Sequence, residues 1–183
     1  FLDIVRVQAA KRAERRAGHQ HLPDLFVEGH AGEHGSLDVI QSRAPLVMSG
    51  PGVATLGHVD DHARLVDVAP TLAVLSGVPS DDLRDADGAE LDGRALTAYL
   101  EPLADGQRRR VVGILWDGAH CGDLLHLAET GELPGVARLV EHGLALRGGA
   151  VAEFPSVTLT NHTSILTGVG PGRHGVLGNV FFD

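Results

Sequence analysis

One cysteine, Cys121, is the chain's whole supply of thiol, which excludes an intrachain disulfide framework and a cysteine-built zinc site. Aromatic residues make up only 4% of the sequence, so any core must be assembled from Val, Leu, Ile and Ala. No apolar run approaches the length of a bilayer crossing, and no basic-then-apolar leader is visible. No internal repeat occurs, which excludes a simple duplication within these residues. Positive charge is also short. A formal net charge of −9 argues against a general nucleic-acid-binding surface. It leaves room for an anionic substrate, because bound metal ions can reverse a local field.

What is present is an ordinary globular composition, 43% apolar and 21% charged over 183 residues, long enough for one or two domains. The start at Phe1 rather than Met and the stop at Asp183 lead us to expect an excerpt of a longer chain, inactive by itself.

In chain order, residues 1–17 carry the propensity and polar outer face of a helix, with Lys11, Arg12, Arg15 and Arg16 on a solvated side. His19 and His21 fall in a loop. DLFVEGH and APLVMSG read as short strands around a polar turn that holds His30 and His34. A helix is expected around Pro70, ending at Gly77. Asp60, Asp61 and His62 read as a solvated loop. The acidic run from Ser80 to Asp92 lacks the ligand spacing of an EF-hand and reads as surface. GRALTAYLEPL is expected to be helical.

The polar stretch 104–110 is the best boundary, dividing a segment 1–103 from a segment 111–183. VVGILW, at 111–116, has the continuous apolar character of a buried parallel strand, and Asp117 ends it. A carboxylate at the carboxyl end of such a strand is where α/β proteins keep functional groups. Two helices and a strand or hairpin follow.

The densest chemistry lies from Phe154 to Asn179, FPSVTLTNHTSILTGVGPGRHGVLGN. A helix is predicted over 158–167, stopped by Gly168, and its N-terminus would offer unpaired N–H groups and a positive dipole end to an anion. Four hydroxyls compete as nucleophile there: Ser156, Thr158, Thr160 and Ser164. Spacing alone does not choose among them, and Ser, Thr and Asn also serve as helix caps. Neither GxGxxG nor GxxxxGK[ST] occurs in the glycine-rich loop that follows, so a dinucleotide or P-loop reading has no motif behind it. Asn179 could aim an amide N–H at a substrate oxygen.

This stretch resembles the nucleophile segment of the alkaline phosphatase superfamily, closest to its type I phosphodiesterase/nucleotide pyrophosphatase branch. Pro155, Thr158, Asn161, His162, Thr167, Gly168, Pro171, His174, Gly175 and Asn179 all fall at the family's spacing. Thr160 departs from it, since the family often has Pro there. The resemblance implies an α/β fold with a mainly parallel sheet flanked by helices, incomplete in this chain. It implies hydrolysis of phosphoric esters, most of all phosphodiester or nucleotide pyrophosphate bonds in a small phosphorylated substrate, with two divalent metal ions, expected to be zinc. Thr158 would be the nucleophile and a metal ligand, Asp117 a zinc ligand, and Asn179 a donor to a non-bridging phosphoryl oxygen. His162 and His174 would organise the loop. The rivals are a non-catalytic module of the same fold, and a phosphomonoesterase or phosphonate hydrolase of the same superfamily.

The earlier part, through GEHGS, SRAPLVMSGPGV, RLVDVAPTLAVLSGVP and LDGRAL, is similar to the closing segment of the same superfamily. There the histidine of the GxHGS-like turn is a late zinc ligand, which points to His34. The two segments stand in the reverse of the family's order. Either the chain spans a junction between two domains, or its parent is circularly permuted. The short linker and the single set of motifs favour the second.

Overall fold

The computed structural model describes residues 42–102 and 109–180. The chain divides into two units, Phe1–Glu33 and His34–Asp183, and all described residues belong to the second. The expected helix over 1–17, His19, His21, the strand at 24–30 and His34 lie outside the described residues, as does most of the 104–110 boundary.

Six short strands form two small sheets: β1 (Arg43–Ala44), β2 (Val47–Ser49), β3 (Gly57–Val59), β4 (Ala63–Arg64), β5 (Gly143–Leu146) and β6 (Ala150–Val151). One sheet has the order β1-β6-β4 and the other β2-β5-β3. They continue one another. Pro45 and Leu46 separate β1 from β2, and Arg147 to Gly149 separate β5 from β6. Bonds from Leu146 N–H to the Leu46 carbonyl and from Arg147 N–H to the Val59 carbonyl carry the pairing across the gaps. In each sheet the central strand comes from the later segment, and both of its neighbours come from the earlier one. β2 and β1 run antiparallel to the centre, β3 and β4 parallel.

β5 is buried along its whole length, and its alternation decides which face receives what. Leu144 and Leu146 point into a cluster with Val53, Leu65 and Leu75. Ala145, between them, packs with Cys121, Leu124, Leu125 and Val140 on the other face. Full burial of each leucine contributes about 1.5–3 kcal/mol. The second face is covered by two helices. The first has apolar residues at 121, 124, 125 and 128, one face at helical spacing, and His120 Nδ1 caps it by accepting from the Asp123 N–H at 3.3 Å. The second opens on Pro134, whose missing N–H costs nothing at a first helical position. In chain order the helices are α1 (Val68–Leu75), α2 (Cys121–Glu129), α3 (Pro134–Glu141), α4 (Thr158–Thr167) and the single turn α5 (Pro171–His174).

Three expectations are corrected. The sheets are mixed rather than mainly parallel, because each central strand has one antiparallel neighbour. The 111–116 run is not a buried strand: Val112 is 82% and Ile114 85% exposed, and no strand is assigned there. An apolar run becomes a parallel strand only with neighbours to complete its ladder, and the described strands pair among themselves instead. The stretch expected as a helix around Thr97 forms only a 3-10 turn, Thr97–Tyr99. No helix among the described residues is long and apolar enough to cross a membrane.

Candidate functional site

α4 carries the site, and it is an unusual helix. Its buried side is polar (Thr160, Asn161 and Ser164), whereas Leu159 and Leu166 face outward. The small buried side chains let it settle closely against the Leu65–Asp67 turn and α1. Gly168 ends it in the left-handed region, at φ 71°. A methyl group there would also lie 3.1 Å from Leu91 Cδ1 and 3.2 Å from Pro70 Cδ, so glycine is favoured by the conformation and by the tight surroundings.

The entry into α4 is organised by Asn161. Its Oδ1 accepts from the Glu153 N–H at 2.7 Å, and its Nδ2 donates to the carbonyls of Glu153, Pro155 and Val157 at 3.2, 3.1 and 3.2 Å. One buried amide thereby fixes the turn that delivers Thr158. Position N-cap is Val157, which has no side-chain oxygen to offer. Asn179 supplies the cap instead: its Oδ1 accepts from the Leu159 N–H at 2.9 Å. That bond engages the amide oxygen and leaves Nδ2 as the donor-bearing end at the start of the helix.

Burial separates the four competing hydroxyls. Thr160 and Ser164 are 0% exposed and Ser156 is 8% exposed. Only Thr158 is half-buried rather than buried. Its Oγ1 donates to Asp117 Oδ2 at 3.3 Å. The fold therefore brings Asp117, Thr158 and Asn179 together at one helix N-terminus, even though the run before Asp117 is not a strand.

The two histidines of the motif differ. Val176 N–H donates to His174 Nδ1 at 3.0 Å, so the ring proton sits on Nε2, which donates to Ser164 Oγ at 3.0 Å. His174 thus ties the glycine-rich loop to the buried side of α4. His162 is half-buried on the same helix.

The acidic run is more than surface. Arg173, in α5, pairs with Asp85 and, at 2.9 Å, with Asp92, and donates to the Glu90 carbonyl at 2.6 Å. Asp92 Oδ2 also accepts from the Gly170 N–H at 2.7 Å. That N–H bond, joined by the Arg173 guanidinium, holds the Asp92 carboxyl below its ordinary value against the opposing effect of burial. The Ala89 N–H, with Arg173, does the same for Asp85.

Asp117 and Thr158 fit half of a divalent-metal donor set. Their oxygen atoms, 3.3 Å apart, are close enough for one divalent cation to be held between them. Among the described residues no three His, Cys, Asp or Glu side chains cluster to complete a site.

Comparison with known families bears on this segment. Residues 111–183 match the family described as type I phosphodiesterase / nucleotide pyrophosphatase. The matched residues begin at the apolar run before Asp117 and include α4, its cap and Asp117. No solved structure matches the chain significantly.

Two contributors escaped sequence reasoning. Asn161 was visible only as one of several motif positions, and its signal was an amide on the inward side of a short helix. The Arg173 pairs join residues far apart in the chain and left no local signal.

Proposed function

We propose that this chain is part of a hydrolase of phosphoric esters, acting on phosphodiester or nucleotide pyrophosphate bonds with Thr158 as nucleophile. The observation that carries this is the convergence of Thr158, the accessible member of the hydroxyl cluster, with Asp117 and Asn179 at one helix N-terminus.

Each part has a physical role. The first turn of α4 presents N–H groups and a positive dipole end that favour a phosphoryl anion. Thr158 Oγ1 gives up its proton and attacks phosphorus in line, its bond forms as the bond to the leaving oxygen breaks and that oxygen takes up a proton, and water then cleaves the threonine-bound phosphoryl ester to restore the hydroxyl. Asp117 Oδ2 directs the hydroxyl hydrogen away from the attacking lone pairs. Asn179 Nδ2 donates to a non-bridging oxygen whose charge grows in the transition state.

Asp117 and Thr158 would hold one of two divalent ions, expected to be zinc, with ligands from elsewhere in the protein. When bound, such ions supply positive charge that lowers the hydroxyl pKa and offsets charge on the leaving oxygen. His34 is proposed as a further ligand, on the reading that the earlier and later segments are one permuted domain. Support for that reading comes from the sheets, whose central strands belong to the later segment and whose outer strands belong to the earlier one.

The test is zinc content together with bis-p-nitrophenyl phosphate hydrolysis by the full-length protein and its Thr158→Ala variant. The proposal expects bound zinc in both proteins and turnover in the parent alone. Turnover retained by the variant would overturn the nucleophile assignment. Absence of metal from the folded parent would favour a non-catalytic module.

A further inference from the structure

The loop from Gly168 to Asn179 leaves the C-terminus of α4 and returns to its N-terminus, so whatever fixes the loop fixes Asn179. Three attachments hold it. At its start the Gly93 N–H donates to the Gly168 carbonyl at 3.0 Å, and Asp92 takes both the Gly170 N–H and the Arg173 guanidinium. In the middle His174 is bonded to Ser164. At its end Asn179 meets the Leu159 N–H.

The first attachment is the strong one. Arg173 is held by two carboxylates and one carbonyl, with about a third of its side chain exposed (32%), and charge-assisted bonds are roughly twice as strong as neutral ones. Its partners come from the earlier segment. The backbone there packs closely, and a methyl group on Gly93 would stand 1.9 Å from the Val66 carbonyl oxygen. Asp67 Oδ1 also accepts from the neighbouring Arg94 N–H at 2.9 Å. Asp92 therefore reaches the loop from a closely packed, hydrogen-bonded stretch of backbone.

We propose that Asp92, acting through Arg173 and the Gly170 N–H, is a positioning residue that sets where Asn179 meets the start of α4. The earlier segment thereby tunes the donor that faces the substrate. The chemical consequence rests on the phosphoryl-transfer reading above. The mechanical coupling does not.

Residue-resolved amide hydrogen exchange separates the two. Asp92→Asn keeps an acceptor for Gly170 but removes the charge that holds Arg173, and Arg173→Gln removes the other partner. In both variants the Leu159 amide, which Asn179 protects, should exchange at least about tenfold faster, approaching its rate in Asn179→Ala, while Leu144 and Leu146 in β5 stay unchanged. Acceleration at Gly170 with Leu159 within about twofold of the parent would confine Asp92 to a local role and overturn the proposal. Equal acceleration at Leu144 would mean global destabilisation and overturn it too. Under the phosphoryl-transfer reading, kcat of the full-length Asp92→Asn protein falls by about tenfold with KM little changed, since the displaced donor acts in the transition state. An altered Leu159 rate with an unaltered kcat would retain the coupling and count against Asn179 as a substrate donor.

Discussion

Replacing Asn161 with alanine tests the architecture of the site most sharply. The side chain is 7% exposed and makes four hydrogen bonds to the turn before α4. Two of its acceptors keep other partners, because the Val157 carbonyl also takes the Asn161 N–H and the Pro155 carbonyl takes the Val157 N–H. The Glu153 N–H and carbonyl lose the partner that the side chain supplies. A buried polar group left unsatisfied costs about 1–3 kcal/mol, and Glu153 is half-buried, so a loss of about 3 kcal/mol is expected for the pair. For a unit of this size that lowers Tm by on the order of 10 °C. Thermal unfolding followed by circular dichroism, on the parent and the variant, measures it. Asn161→Asp is the informative companion. It keeps the acceptor for Glu153 N–H but sets a carboxylate oxygen against three carbonyls, so its Tm should fall at least as far. A fall of under about 2 °C in both variants would refute the account of how the turn is held.

Other predictions follow from the same contacts. Asp85 and Asp92 have carboxyls held below their ordinary values, so the stability they contribute is complete above the ordinary carboxylate range and is lost as pH falls through the depressed values. The difference in Tm between the parent and Arg173→Gln should therefore shrink as pH drops below about 4, and a constant difference would contradict the clamp. Asp61, which accepts from the Tyr99 hydroxyl, behaves in the same direction. Tyr99 is pushed up to about 12 by that bond, so its contribution is present below the ordinary phenol value and lost as pH rises through the raised one. Thr160 is fully buried, and its Oγ1 has no hydrogen-bond partner among the described residues. Thr160→Val should accordingly raise stability by up to about 1 kcal/mol in urea unfolding, and a loss of more than about 1 kcal/mol would reveal a partner for the hydroxyl.

Most of the helices were legible because their signals are local, the stretch around Thr97 being the exception. Pro134 opens α3, Gly168 closes α4 at the residue expected, and the apolar spacing from Cys121 to Ala128 places α2. The sheets were less legible. Each strand pairs with residues roughly 85 to 110 positions away, and nothing in VVGILW distinguishes a paired strand from an apolar run whose neighbours lie elsewhere. At the site, the sequence narrowed the nucleophile to four hydroxyls, the resemblance singled out Thr158, and burial then separated it from the other three. Thr160 is instructive. It stands in the first turn, where a backbone N–H has no helical partner, so the Pro often found there in the family and this Thr can occupy the same place without disturbing the ladder. The Asp92–Arg173 clamp was not legible at all, since an acidic run and a lone loop arginine are each ordinary surface features until the fold joins them.

The central claim is that Thr158 carries the phosphoryl group during turnover. The most direct measurement is to mix the full-length protein with bis-p-nitrophenyl phosphate, quench in acid, and map covalent adducts by mass spectrometry. The account predicts a substrate-derived phosphoryl ester on the peptide containing Thr158, absent from Thr158→Ala. An adduct on Thr160 or Ser164, or turnover by Thr158→Ala at the parent rate, would contradict it.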